Sequence, residues 1–276
     1  MKTHDKPSSE TSRSLNGSRL APAALAIAVV ALGWQPPSAV AQANCVSPPG
    51  GLVAWWSGEG TPNDYVGLAN GTLYGGVTFA PGKVGRCFAF DGKSGGINVP
   101  DDPALALTKS LTVESWLFVP GAPSAPGMVL FRGDTRSGLD PYYVSVEPEA
   151  GTSGMLIFVV WGPDNINVSI KAPMPIGAWT HVAATLDDCA GLMRLYTNAV
   201  VAAETTTTIR PLGALDPDYQ PGLGIGNHSS QPGPFNYPFR GLIDELSVYN
   251  RALSPHEIQA LYSAGSAGKC PLPRGH

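Results

Sequence analysis

Short apolar runs closed by Gly, Pro, Asn or Asp recur along most of this 276-residue chain, and they limit its fold more than any other feature. The sequence holds 33 Gly and 27 Pro, with charged residues at only 14%. Such punctuation leaves little room for long helices and many places for turns, so an all-β fold is expected. "LTVESWLFVP" shows the pattern plainly: Leu111, Val113, Ser115, Leu117 and Val119 share one face, and Thr112, Glu114, Trp116 and Phe118 the other. "MLIFVVWG" is a near-continuous apolar run, suited to a strand covered on both faces. "WTHVAATLDD" and "MRLYTNAVVAAE" read as an antiparallel pair joined by the "DDCAG" loop, while "GLGIGN" and "GLIDELSVYN" supply the last strands. The predicted helix lies in "LSPHEIQALYSAG". Ser254 is its N-cap, Pro255 its first residue and Glu257 the partner of a capping box, with Leu253 and Ile258 at the staple positions and Gly265 as the stop.

The first 43 residues read differently. Lys2, Lys6, Arg13 and Arg19 precede the apolar stretch 20–33, and Ala41 and Ala43 form a small-residue cleavage signal. The apolar stretch is shorter than the roughly 20 residues of a membrane span. Residues 1–43 are therefore expected to be a cleaved signal peptide, and residues 44–276 a single secreted β-sandwich domain with no membrane span. Removing 4 of 17 basic and 2 of 21 acidic residues leaves 13 against 19. That acidic balance, with no basic stripe, argues against nucleic acid as a partner.

All four cysteines, Cys45, Cys87, Cys189 and Cys270, follow the predicted cleavage site, which for an exported chain means disulfides. Four cysteines allow three pairings, and spacing does not choose among them. One pairing would tie the two ends together through Cys45 and Cys270, leaving Cys87 for Cys189. With no C-x-x-C pair, zinc ligation is disfavoured.

Eight phrases taken in order resemble those of LamG-like jellyroll domains in the concanavalin A-like lectin/glucanase superfamily. They are "GLVAWWSGEG", "NDYVGLANGTLYGGVTFAPGKVGRCFAFDG", "INVPDDPAL", "LTVESWLFV", "AWTHVAATLDD", "MRLYTNA", "IGN" and "GLIDELSVYNRALSPHEIQALY". The resemblance spans roughly residues 50–265 and implies a two-sheet antiparallel jellyroll with adjacent first and last strands, which supports a Cys45–Cys270 bridge. This chain departs from the family pattern with Asn198-Ala199 where Asn-Gly is usual. It also has Cys87 at a position usually small and Cys189 in a loop usually rich in glycine. The two cysteine departures together imply a Cys87–Cys189 bridge.

Catalytic motifs are not evident. Glucanases of the superfamily carry an E-x-D-x-E run, in which alternate strand residues aim their carboxylates into one cleft. Asp244 and Glu245 are adjacent, so a regular strand would send them to opposite faces. Glu147 and Glu149 have the right spacing but flank Pro148 in a turn-like segment. "GTSGM" is no nucleophile elbow, and His181 and His228 lack an acid nearby in sequence. The Tyr142, Tyr143, His181 and Arg194 set that a lyase would want is not demanded by spacing.

The resemblance further implies one structural Ca²⁺ at the sandwich rim, for which Asp64, Asn70 and Asp244 offer oxygens. Aromatics able to stack on a sugar are Tyr142, Tyr143, Trp161, Phe235 and Tyr237, with Phe239 in the same "PFNYPFR" loop. The sequence thus describes a secreted, non-catalytic LamG-like binding module for glycan or extracellular protein. A polysaccharide hydrolase or lyase with an unrecognised site, or a structural or adhesive surface component, are the competing classes.

Overall fold

The computed structural model describes residues 45–67, 69–138, 140–150, 153–229 and 235–272. The predicted signal peptide lies outside them. Strands β1 (Leu52–Trp56), β2 (Thr72–Tyr74), β3 (Thr78–Pro81), β4 (Arg86–Asp91) and β5 (Gly96–Pro100) open the domain. They are followed by β6 (Leu111–Phe118), β7 (Gly127–Gly133), β8 (Tyr142–Glu147), β9 (Gly154–Trp161) and β10 (Asn167–Met174). Strands β11 (Trp179–Asp187), β12 (Leu192–Thr197), β13 (Val200–Thr206), β14 (Gly222–Ile225) and β15 (Arg240–Tyr249) precede helix α1 (Pro255–Ala264).

These strands form two antiparallel sheets, the expected jellyroll. One has the order β13-β12-β11-β6-β15-β4-β3, with β1 also pairing to β15. The other runs β10-β9-β8-β7-β14-β5-β2. Strand periodicity decides what lies between them. Leu111, Val113 and Leu117 from β6 meet Tyr142, Val144 and Val146 from β8 and Leu156, Phe158 and Val160 from β9 in one buried core. Burying these side chains is the main driving force of the fold, at about 25 cal/mol per Å² of apolar surface removed from water.

Part of the outer face of the eight-stranded sheet is covered by the terminal helix. Helix α1 lays Ile258 and Leu261 against Ala183, Tyr196 and Tyr249, and Leu253 joins them. The capping box forms as predicted: Ser254 Oγ accepts from the Glu257 amide at 3.3 Å, and Glu257 Oε2 accepts from the Ser254 amide at 2.8 Å. Below α1 lies a buried charged cluster. Lys269 Nζ donates to Glu114 Oε1 at 3.0 Å and lies 3.1 Å from Glu245 Oε2, and His181 Nε2 is 3.1 Å from Glu114 Oε2. It leaves a void of only about 10 Å³, so it fastens the terminal segment instead of receiving a ligand.

Asp244 and Glu245 depart from the regular-strand expectation. Between Asp244 and Ser247 the β15–β6 register shifts, so that two residues of β15 oppose Ser115 alone. Glu245 takes φ 57°, a left-handed backbone. This β-bulge leaves Ile243 and Leu246 in the core and keeps both acids out of it. Periodicity alone had separated the two carboxylates; the extra residue brings them to the same side.

One disulfide forms as expected, Cys45–Cys270, beside a parallel bridge between Val46 and Lys269. The expected Cys87–Cys189 bridge does not form: Cys87 is a buried free thiol and Cys189 an exposed one. Sheet order explains the difference. Cys87 is on β4, whereas Cys189 follows β11, and β15 and β6 lie between those strands. Three strand spacings are about 14 Å, far beyond the ~7 Å between Cα atoms that a disulfide can span.

Candidate functional site: an aromatic groove on the open sheet

The seven-stranded sheet leaves its outer face partly uncovered, and a groove of about 230 Å³ lies there. Its floor follows from register. Phe131 of β7 pairs with Tyr143 of β8, and both point away from the core that holds Leu130, Tyr142 and Val144. Their rings stack at 5.8 Å. One strand further in the same sheet is Gly224 of β14, opposite Phe131. A Cβ at Gly224 would come within 2.3 Å of the Asn227 carbonyl oxygen and 2.7 Å of His228. Glycine therefore lets the chain fold back onto the sheet surface. His228 then lies over Phe131 with ring centroids 3.9 Å apart, and Phe235 and Tyr237 follow at 5.2 and 6.4 Å from His228.

Asn227 fixes that fold-back. It is fully buried, and its Oδ1 accepts from the His228 amide at 2.8 Å and the Tyr237 amide at 2.7 Å. Its Nδ2 donates to Asn236 Oδ1 at 2.8 Å. One side chain thus holds both arms of the loop that carries the aromatic wall. A buried amide with several partners is a rigid support, because releasing it would strand buried polar groups.

The opposite wall is polar. Arg136 Nη2 donates to Asp134 Oδ2 at 2.5 Å, and its Nε contacts both Asp134 oxygens at 3.0 and 3.1 Å. The Arg136 guanidinium also lies 5.0 Å over the Tyr219 ring. Asp140 projects beside Phe131, above Gly133, where a Cβ would be 2.6 Å from Asp140 Oδ1. That oxygen is buried and has no hydrogen-bond partner. Burial, reinforced by Asp134 and opposed by Arg136, pushes the Asp140 carboxyl up to about 7. Burial likewise pushes Tyr143 up to about 12, with Glu147 and Asp140 adding to it. His228 is pulled down to about 4 by burial, with Asp134 opposing, so it is a neutral ring at pH 7.

Of the aromatics named from sequence, Tyr143, Phe235 and Tyr237 line this groove. Tyr142 does not: it points into the core and donates through its hydroxyl to the Leu105 carbonyl at 2.8 Å. Trp161 stands further along β9, its ring 3.7 Å from where a Gly138 Cβ would be, at the back of the 136–140 loop. Phe131, Asn227 and Asp140 escaped sequence reasoning. The alternating glycines of "GLGIGN" were the available signal, since two glycines on one strand and a third just after it invite another segment to lie there.

The candidate calcium ligands are bonded to two different loops. Asp64 Oδ1 accepts from the Trp55 and Val66 amides at 2.8 and 2.9 Å, and Oδ2 accepts from the Gly67 amide at 2.9 Å. Asn70 Oδ1 accepts from the Asp64 amide at 3.0 Å. Asp244 Oδ2 is bonded to a different loop, through the Val84 amide at 2.8 Å. The Asp64 and Asn70 oxygens and Asp244 Oδ2 thus accept from backbone N–H groups, while Asp244 Oδ1 is buried with no hydrogen-bond partner. Among the described residues no cluster of three or more His, Cys, Asp or Glu side chains is arranged to hold a metal ion, and no helix is long and apolar enough to cross a membrane.

Residues 91–259 match the family model Laminin_G_3, described as concanavalin A-like lectin/glucanases superfamily. The chain belongs to the concanavalin A-like lectin/glucanases superfamily. No curated protein sequence matches it. Solved structures of similar fold include domain 4 of AbnA, a GH43 extracellular arabinanase from Geobacillus stearothermophilus, in complex with arabinotriose. That likeness has a TM-score of 0.54 at 23% identity and covers 75% of this chain and 96% of that one. The CBM40 of Ruminococcus gnavus IT-sialidase, bound to alpha2,3 sialyllactose, gives 0.51 at 17% identity, covering 63% and 95%. The botulinum neurotoxin serotype G binding domain gives 0.57 at 14% identity, covering 77% of this chain and 50% of that one. At these identities the likeness establishes a shared fold, and members of one superfamily hold different sites on it.

Proposed function

We propose that this chain is an exported, non-catalytic carbohydrate-binding module whose site is the groove walled by Tyr143, Phe235 and Tyr237 above the buried Phe131. The observation that carries this reading is the aromatic lining itself. Rings stacked on a sheet face, pre-positioned by a buried Asn227 and edged by a few polar groups, suit the apolar faces and hydroxyl edges of a sugar. Structures of similar fold that hold arabinotriose and sialyllactose support the class of ligand. The groove's volume of about 230 Å³ suits one or two sugar residues better than a protein surface. The Cys45–Cys270 disulfide supports an oxidising, extracytoplasmic location.

A glycan array probed with residues 44–276 tests the reading. A hit that loses about tenfold in affinity (~1.4 kcal/mol) in each of Tyr143→Ala and Tyr237→Ala is the expected result. No binding across the array, or hits indifferent to both variants, would rule the groove out.

One observation favours a hydrolytic reading as well: Asp140, raised to about 7 by burial, shares the groove with Glu147. A carboxyl in that range is a competent general acid. Release of reducing ends from polysaccharide by the wild type, abolished in Asp140→Asn, would replace binding with hydrolysis.

A further inference from the structure

The charges around the groove select among glycans. Asp140 and Glu147 both line it, and Asp134 lies buried behind the same wall. Among the described lining residues Arg136 is the one permanent cation, and Asp134 grips its guanidinium through three contacts of 2.5–3.1 Å. Asp134 takes the Nε–Nη2 side of Arg136 and offsets its positive charge, and the guanidinium face lies over Tyr219, so the pair adds no net positive charge to the groove. His228, pulled down to about 4 mainly by burial, contributes no positive charge at neutral pH.

Resting on the proposed glycan site, we infer that the groove takes neutral sugars and excludes carboxylated ones such as sialic acids and uronates, with Glu147 accepting from ligand hydroxyls. Asp140 Oδ1 has no partner in the protein but is buried beside the equally buried Phe131 ring, so Asp140 stands behind the groove wall and Glu147 is the acceptor that faces a ligand. Glu147 already accepts from Ser145 Oγ at 3.0 Å through Oε1, leaving Oε2 for a ligand. Glu147 on this edge rewards donors, and Asp140 adds negative charge only in its ionised fraction. The Glu147 carboxylate repels an acidic group, which would enter a wall with no net positive charge to offset it.

Matched titrations test this with arabinotriose, cellotriose and lactose as neutral probes, and with sialyllactose and trigalacturonate as anionic ones. At pH 7 at least one neutral probe should bind, and each anionic probe should bind at least tenfold more weakly than the best neutral one. Glu147→Lys should narrow that gap by tenfold or more, while Glu147→Gln should weaken neutral binding without raising anionic binding to match. An anionic probe that binds as tightly as the neutral ones, and loses binding in Tyr143→Ala, would overturn the selectivity while leaving the groove as the glycan site. Failure of every probe, together with an empty glycan array, would remove the binding reading and this inference with it.

Discussion

Replacing Lys269 with Met tests what holds the terminal segment to the domain. The lysine Nζ serves three oxygens: Glu114 Oε1 at 3.0 Å, Glu245 Oε2 at 3.1 Å and the Glu245 carbonyl at 3.1 Å. All three side chains are buried. Met keeps the stem volume but strands two acids, and breaking a buried pair from one side costs about 3–5 kcal/mol. The titration of Glu114 agrees in direction, with Lys269 and His181 sharing the effect. Burial raises its carboxyl, yet Lys269 and His181 together outweigh burial and bring it down from 4.5 to about 2. That shift is worth about 3 kcal/mol at 1.36 kcal/mol per pH unit. For a domain of this size the loss should lower the Tm by roughly 6–20 °C. The sign of the pH dependence is fixed too. A carboxylate depressed in the fold stabilises it above about pH 4.5 and loses that contribution as the pH falls toward 2. The gap between wild type and variant should therefore be widest at pH 7 and narrow below about pH 4.5. Urea denaturation at pH 7 and pH 3.5, without reductant so that Cys45–Cys270 stays intact, measures both. A loss below 1 kcal/mol at pH 7, or an equal loss at both pH values, would refute the reasoning. Adding Glu114→Gln and Glu245→Gln to the Met variant should recover most of the stability, because the stranded charges are then gone.

Further outcomes are expected elsewhere. Ala199→Gly should stabilise by about 0.5–1 kcal/mol in thermal melts, since Asn198 and Ala199 both take left-handed φ, 50° and 65°, in the β12–β13 turn. Asp244 is pushed up to about 8, first by burial and then by Glu245 against its backbone hydrogen bonds. Its neutral form is thus the favoured one, and its contribution is complete below about pH 4 and lost as the pH rises through 8. Asp244→Asn should flatten that decline and gain on the order of 1–3 kcal/mol at pH 8. Under native, non-reducing conditions one thiol, Cys189, should react quickly with a maleimide. Cys87, buried and pushed up to about 12 mainly by burial, should stay silent until unfolding.

Sequence pattern reaches as far as strand periodicity and local capping can carry it. β6 shows its two faces in "LTVESWLF", and α1 announces both ends through Ser254, Glu257 and Gly265, because those signals are local. The Cys45–Cys270 bridge came within reach through the implied adjacency of the first and last strands. What escaped depends on places where the local rule breaks or where distance in the sheet decides. A single extra residue at Asp244–Ser247 reverses the facing of Glu245. Whether Cys87 can reach Cys189 depends on strand order, which no pair of residues encodes. Tyr142 and Tyr143 look alike in sequence, yet alternation buries one and offers the other, and only the identity of the core face says which.

Asn227 gives this account of the groove its sharpest test. Both sheets have an outer face: α1 and the Lys269 cluster cover the middle of the one, while the other keeps Met155 and Ile157 of β9 only half-buried beside Tyr143 and Glu147. A sheet face that stays partly apolar and uncovered needs either a partner or a ligand. The groove is a built site only if its aromatic wall is held before the ligand arrives, and Asn227 is what holds it. Asn227→Ala removes the acceptor of the His228 and Tyr237 amides and the donor to Asn236 Oδ1, leaving buried backbone N–H groups unpaired at about 1–3 kcal/mol. Because those bonds lie in the loop and not in the core between the sheets, the domain should still unfold cooperatively, with a modestly lower Tm. Affinity for a glycan found on the array should fall tenfold or more, since Phe235 and Tyr237 must then be ordered at the expense of binding. An Asn227→Ala protein that binds as well as wild type would mean the loop is not the wall of the site.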